Sequence, residues 1–198
     1  IYWLHRDDLS KSPEEILEFM NTFISSGKIK NFGVSNWHIK RILKANAYAA
    51  ENGLKPIAAS QIKWSLAVPN SGVDDQTLVE MDENEYQLYK KAGIPVIAYS
   101  SQGKGIFSIL DSGGEKALSE NIRKFYLNSL TLRRFKAAKS LSEKYGMPIS
   151  SIVLSYIYSN PDIKSHVLIG PVNVKQLEDS LTNSDFTLSR EEITLLSQ

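Results

Sequence analysis

Short apolar runs alternate along the chain with longer stretches whose apolar residues recur every three or four positions. The short runs are Ile1–Leu4, Ile29–Val34, Pro56–Ile62, Ile94–Tyr99 and Val167–Ile169. They are apolar on both faces, as parallel strands covered on both sides are. Ile16, Leu17, Phe19, Met20, Phe23 and Ile24 keep helical spacing. Ser12-Pro13-Glu14-Glu15 ahead of them supplies a cap, a proline for the first helical position and acids for the first turn, and Gly27 ends the helix. Asn36 predicts the cap of a second helix, with Ile39, Ile42, Leu43 and Ala47 on one face and Gly53 as its stop. Asp82 predicts the cap of a third helix, to Ala92 with Gly93 behind it. Ser100–Glu115 holds Gly103, Gly105, Gly113 and Gly114 and reads as loop. Helices follow at Glu120–Leu127, Thr131–Tyr145, Pro148–Ser159 and Val174–Asn183, and Ser189 caps a last one.

Strands separated by helices imply parallel pairing through right-handed crossovers. Two architectures answer to that: an open doubly wound sheet and a (β/α)8 barrel. A doubly wound nucleotide fold carries GxGxxG at its first strand-to-helix turn. Here that turn is HRDDLSKSP, without glycine, and the GKG at 103–105 is too short. The polar groups sit instead at the C-terminal ends of several strands: His5, Ser35-Asn36, Gln61, Tyr99-Ser100 and Gly170. A barrel active site is built that way, each strand end delivering one group to one face. The expectation is an α/β chain, part of a TIM barrel, folded as a single domain over residues 1–198.

Composition removes several function classes. Lys+Arg is 23 and Asp+Glu 22, a net charge of +1, so no basic excess argues for nucleic acid. No apolar stretch is long enough to span a bilayer. With no cysteine, disulfides, thiolate metal sites and cysteine nucleophiles drop out, and a cytoplasmic location is expected. The chain starts on a strand without methionine and stops inside the helical pattern EEITLLSQ. It is therefore read as an internal piece of a longer chain, inactive by itself.

His5 ends a strand, where an imidazole can hydrogen-bond a carbonyl oxygen or move a proton near neutral pH. His38 and His166 are scattered, and HExxH and GxSxG are absent, so neither a metal site nor a serine hydrolase has support. Arg6, Asp7 and Asp8 read best as a solvated loop. Asn36 is either a helix cap or, with Gln61, an amide pair for a carboxamide. Tyr99 is a rim aromatic or a stacking face for a flat ring. Ser100-Ser101-Gln102-Gly103-Lys104-Gly105 offers backbone N–H groups and a lysine to a pyrophosphate. Gly170-Pro171-Val172-Asn173 opens a helix whose N-terminus suits a phosphate. Gln176, Asp179 and Ser180 share one face of that helix.

Taken in order, LHRDD, GVSNW, SQIKWSL, AYSSQGKGIF and IGPVNVKQLEDSL resemble the aldo-keto reductases over essentially the whole chain. The resemblance implies about strands 4 to 8 of the barrel, with their helices. It makes His5 the catalytic histidine that orients the substrate carbonyl. Ser35, Asn36 and Gln61 match residues that hold the nicotinamide carboxamide, and Tyr99 the aromatic that stacks on its ring. Ser100, Gln102, Gly103 and Lys104 match the pyrophosphate loop. Gly170, Asn173, Gln176, Asp179 and Ser180 match positions around the adenosine phosphate and adenine. The family's Asp, Tyr and Lys come from earlier strands; Tyr2 lies within a strand and Tyr99 is taken by stacking. Gly170 and Gln176 stand where many members have Lys and Arg on the 2′-phosphate, though many relatives have Gly and Gln there and still prefer the phosphorylated cofactor; Asp179 and Ser180 replace Glu and Asn. The implied activity is reduction of an aldehyde, ketone or sugar, a small-molecule carbonyl substrate, with NADPH expected and NADH open. Lys63-Trp64, Trp37, the loop to Met81 and Ile106–Asn128 are candidate pocket walls. The alternative is a cofactor-binding regulatory subunit with little turnover.

Overall fold

A computed structural model of the chain describes residues 1–182 and 184–198. The elements run β1 (Tyr2–Leu4), α1 (Pro13–Ser25), β2 (Phe32–Ser35), α2 (Ile39–Glu51), β3 (Ser60–Lys63), α3 (Glu83–Ala92) and β4 (Val96–Tyr99). A 3-10 turn at Gly103–Gly105 leads into α4 (Ile106–Gly113), and a second at Glu115–Ala117 precedes α5 (Glu120–Tyr126). Then come α6 (Ser129–Tyr145), α7 (Ile149–Tyr158), β5 (Ser165–Val167), α8 (Val174–Leu181) and α9 (Arg190–Ser197). The strands are ordered β1-β2-β3-β4-β5 in the sheet, and the β1–β2 and β2–β3 pairs are parallel. By contacts the chain divides into two compact units. One comprises Ile1–Lys63, Gln76–Ile97 and Asp162–Lys164, the other Trp64–Asp75, Ala98–Pro161 and Ser165–Gln198.

In the first unit, α1 begins as its sequence demands. Ser12 Oγ accepts from Glu15 N–H at 3.1 Å and the Glu15 carboxylate accepts from Ser12 N–H at 2.9 Å, a reciprocal capping box. Leu17 and Met20 are buried, as are Ile39, Ile42, Ala45 and Ala49 of α2. The start of α2 departs from expectation. Asn36 does not cap it; His38 is the N-cap and makes no side-chain capping bond. The cap comes from α3, whose Glu85 carboxylate accepts from Ile39 N–H at 3.0 Å and meets His38 Nδ1 at 2.9 Å. Asn36 is unavailable because its amide is committed to the strand ends.

Strand β2 is buried at all four positions, and the packing there is tight. A Cβ on Gly33 would come within 2.4 Å of the Trp3 ring and 2.9 Å of the Ala59 carbonyl oxygen. The phenol of Tyr89 shares a 2.6 Å hydrogen bond with Ser60 Oγ, and burial pushes its pKa up.

In the second unit, Ser100–Glu115 is not the loop its glycines suggest. They flank a helix rather than interrupt it. Gly105 (φ 77°) is the left-handed N-cap of α4 and Gly114 (φ 65°) its C-cap, while Ile106, Phe107 and Leu110 lie buried on one face. Strand β5 starts two residues earlier than its apolar run, at buried Ser165, whose hydroxyl donates to Ile157 O at 2.5 Å. The expected last residue of α8, Asn183, lies outside the described residues. No helix among the described residues is long and apolar enough to cross a membrane.

Helix α9 has its own capping box, Ser189 with Glu192. The Glu192 carboxylate also receives Lys144 Nζ at 2.7 Å and the Tyr145 hydroxyl. Burial pushes this carboxyl up, but bonds from Lys144, Tyr145 and Ser189 N–H outweigh it and hold the pKa down at about 2.

Two outcomes are expected. Gly33→Ala overpacks β2 and should lower stability by about 1–3 kcal/mol in a denaturant titration. Glu192 is depressed below its ordinary 4.5, so its contribution is complete above that pH and fades as pH falls toward about 2. The fall in melting temperature over that window should be shallower in Glu192→Gln.

Candidate functional site

The first unit carries three adjacent strand ends. Leu4 is in register with Val34, and Ser35 with Gln61. His5, Ser35-Asn36 and Gln61 therefore follow one another across parallel strands. Asn36 joins them. Its Nδ2 donates to His5 O at 3.3 Å and to Ser35 Oγ at 3.1 Å, and its Oδ1 accepts from Val79 N–H at 3.2 Å. Its own N–H donates to Gln61 O at 3.0 Å. Asn36 takes φ 59°, a left-handed conformation that asparagine tolerates better than most side chains.

Around this joint, Ser35 and Asn36 are buried, Gln61 is half-buried and His5 is exposed. The charges after β1 do turn chemistry. Asp7 pairs with Arg41 at 2.7 Å, and Asp8 accepts the Ser10 hydroxyl and N–H. The Ser10 bonds hold the Asp8 carboxyl below its usual range. Trp37 is buried and donates its indole N–H to Arg6 O at 3.4 Å, so it is packing rather than pocket wall. Lys63 is buried with its Nζ 3.7 Å from Glu80. Its backbone pairs with Val79 and Met81, docking the returning loop onto the end of β3.

The second unit contains a cavity of about 630 Å³. Of the candidates, Ser100, Gln102, Lys104, Gly170, Gln176, Asp179 and Ser180 line it. Three other candidates in this unit do not. Gly103 backs the loop, where a Cβ would meet Ala67 Cβ at 2.6 Å. Asn173 caps α8, and Tyr99 is the residue before the first lining residue.

Ser100, Gly103, Lys104 and Gly105 all have positive φ, which curls the post-β4 segment tightly. Gln102 Nε2 donates to Ser180 Oγ at 3.1 Å, and Ser180 Oγ donates to Gln176 O at 2.7 Å. This chain ties the loop to α8. Lys104 Nζ lies 4.9 Å from the centre of the Phe125 ring, a cation–π contact. At the start of α8, Asn173 Oδ1 accepts from Gln176 N–H at 2.9 Å and Gln176 Oε1 accepts from Val172 N–H at 3.0 Å. Ser108 and Ile109 of α4 also line the cavity; they fall within the Ile106–Asn128 segment expected as a pocket wall, though neither was singled out individually. The spacing of Ile106, Phe107 and Leu110 was the signal for that helix.

Hydroxyls, amides and one lysine suit a ligand rich in hydroxyl groups and carrying phosphate. No group of three or more His, Cys, Asp or Glu among the described residues could hold a metal ion.

The model of the aldo/keto reductase family matches residues 1–198. The chain belongs to that family. This aldo-keto reductase is 24% identical over 199 residues to YrpG, an uncharacterized oxidoreductase of Bacillus subtilis, covering 100% of this chain and 57% of the relative. It is 25% identical over 194 residues to norsolorinic acid reductase of Aspergillus flavus, covering 98% of this chain and 46% of the relative. The chain thus spans about half the length of the curated relatives it matches. A solved thermostable aldo-keto reductase in complex with the inhibitor epalrestat superposes with a TM-score of 0.64 at 22% identity, over 99% of this chain and 58% of that one. That likeness gives the fold, the α/β architecture of the family's barrels.

Asn36→Ala removes the side-chain hydrogen bonds to His5, Ser35 and Val79 and puts a β-carbon without amide support at positive φ. A loss of about 2–4 kcal/mol is expected in equilibrium unfolding. Asn36→Gly relieves the backbone part and should recover roughly 1 kcal/mol of it.

Proposed function

We propose that the protein reduces a small-molecule aldehyde, ketone or sugar carbonyl to the alcohol with a nicotinamide dinucleotide. The observation that carries this reading is the convergence on one cavity of Ser100, Gln102, Lys104, Gly170, Gln176, Asp179 and Ser180. These come from two segments far apart in sequence, and the resemblance of their motifs to the family's supports giving both to the cofactor. The donor set fits such a group: neutral hydroxyls and amides for ribose and base, a lysine for pyrophosphate.

In this reading Lys104 offsets the pyrophosphate charge, while the Gln102–Ser180 bond holds the loop in shape around it. Tyr99 offers its ring for stacking. Ser35 and Gln61 take the carboxamide. Both amide hydrogens of Asn36 are engaged with His5 O and Ser35 Oγ, so Asn36 positions those two residues. His5 hydrogen-bonds the substrate oxygen and fixes the carbonyl plane. When bound, the reduced nicotinamide supplies a hydride to the carbonyl carbon. In the family pattern a tyrosine from an earlier strand, its pKa lowered by a lysine, protonates the product oxygen.

The test is to express the full-length protein and follow the absorbance of reduced cofactor with a panel of aldehydes, ketones and sugars. Carbonyl-dependent oxidation is expected. His5→Ala should cut kcat by about a hundredfold or more while cofactor Kd stays within about twofold. Cofactor binding without turnover on any carbonyl would instead make the protein a cofactor-binding subunit.

A further inference from the structure

Three consecutive residues after β1 are each held from the segment that leaves β2. The His5 carbonyl accepts from Asn36 Nδ2 at 3.3 Å, and the Arg6 carbonyl from the Trp37 indole at 3.4 Å. The third, Asp7, is held by charge. Arg41, in the first turn of α2, donates from Nη2 to Asp7 Oδ1 at 3.0 Å and places Nε 2.7 Å from Oδ2. Both partners are largely out of water, with side chains 22% exposed for Arg41 and 9% for Asp7. The Lys44–Glu14 pair on the same helix differs. Its lysine is 63% exposed, and pairs of that kind contribute little.

The Arg41 guanidinium makes two further contacts. Nη2 donates to the Lys11 carbonyl at 3.1 Å, across the turn that Asp8 and Ser10 close. Its central carbon lies 5.1 Å from the centre of the Trp37 ring, so it also covers the indole that holds Arg6. A planar fork with delocalised charge can pair with a carboxylate and stack on an aromatic face at once, which an ammonium cannot. His5 depends on this arrangement. Its side chain is exposed, and no hydrogen bond among the described residues reaches its ring. Within them, the aim of the imidazole is inherited from the backbone of residues 5–7.

Resting on the reductase reading above, we infer that Arg41 is a positioning residue for the reaction: through Asp7 and the Trp37 ring it fixes the turn that aims His5 at the substrate oxygen. A misplacement of about 1 Å at a reacting centre can cost about a hundredfold in rate. Cofactor binding is given to other residues, so the loss on removing Arg41 falls on turnover.

The experiment measures carbonyl reduction, cofactor Kd and melting temperature on the full-length protein. Arg41→Ala should lower kcat by about ten- to a hundredfold and leave cofactor Kd within about twofold. Arg41→Lys keeps the charge without the fork and should stay at least about fivefold below the unmodified protein, as should Asp7→Asn. In a His5→Ala background, adding Arg41→Ala should cost less than about twofold more, because its effect runs through the imidazole. Lys44→Ala breaks the exposed pair of the same helix and should leave kcat unchanged. On a protein that reduces carbonyls, unchanged kcat in Arg41→Ala overturns the inference. So does a full further loss in the His5→Ala background, or a loss that tracks weaker cofactor binding. An Arg41→Lys with full kcat overturns the part given to the fork. Should Arg41→Ala not fold, Arg41→Lys and Asp7→Asn decide on the same readouts, alone and with His5→Ala. If the folded full-length protein reduces no carbonyl, the reductase reading falls first and the inference with it.

Discussion

One left-handed asparagine holds the strand ends of the first unit together. Parallel strands bring their C-terminal ends to one face, but nothing in the ladder fixes the residue just beyond each end, where backbone pairing stops. Asn36 does so by replacing ladder bonds with side-chain ones. Its amide reaches the last carbonyl of β1's extension, the hydroxyl of its own strand and the N–H of Val79 on the returning loop. A carboxamide is suited to this, since it donates twice and accepts on the same planar group. The positive φ of Asn36 belongs to the same arrangement, aiming the side chain back across the sheet edge.

Much of this was legible in the sequence, and the failures share one cause. The caps at Ser12, Asp82 and Ser189 read correctly because each is local, a side chain bonding a backbone N–H three residues on. Asn36 was misread as such a cap because it has the right residue type two places too early. The carboxylate that does the work is on another helix, beyond the reach of any local pattern. The post-β4 segment failed for the opposite reason. Its glycines are punctuation at both ends of α4, and counting them concealed the buried face of Ile106, Phe107 and Leu110 between.

The candidate site divides along the same line. Strand-end position alone singled out His5, Ser35, Asn36 and Gln61, because residues there need no partner outside the sheet to be found. That the post-β4 loop and α8 belong with one ligand was expected only from five ordered motifs matched together, since they are some seventy residues apart in the chain; that they line one cavity is shown by the fold. What remained hidden was how polar groups are used up internally. Sequence shows that Gln176 and Asn173 carry amides. Only the fold shows that they bond back to the start of α8 and take up two backbone N–H groups there.

The borrowed cap on α2 ties two events of folding together. Ile39 N–H has its acceptor on Glu85, 46 residues further along the chain. Until α3 docks, the first turn of α2 has neither a capping side chain nor a buried carboxylate at its positive end, and it frays. The two helices therefore form one cooperative unit. Amide hydrogens in the first turn of α2 exchange with solvent only when α3 lifts away, and a protein that has made α2 but not α3 carries an unfinished helix at the edge of its core.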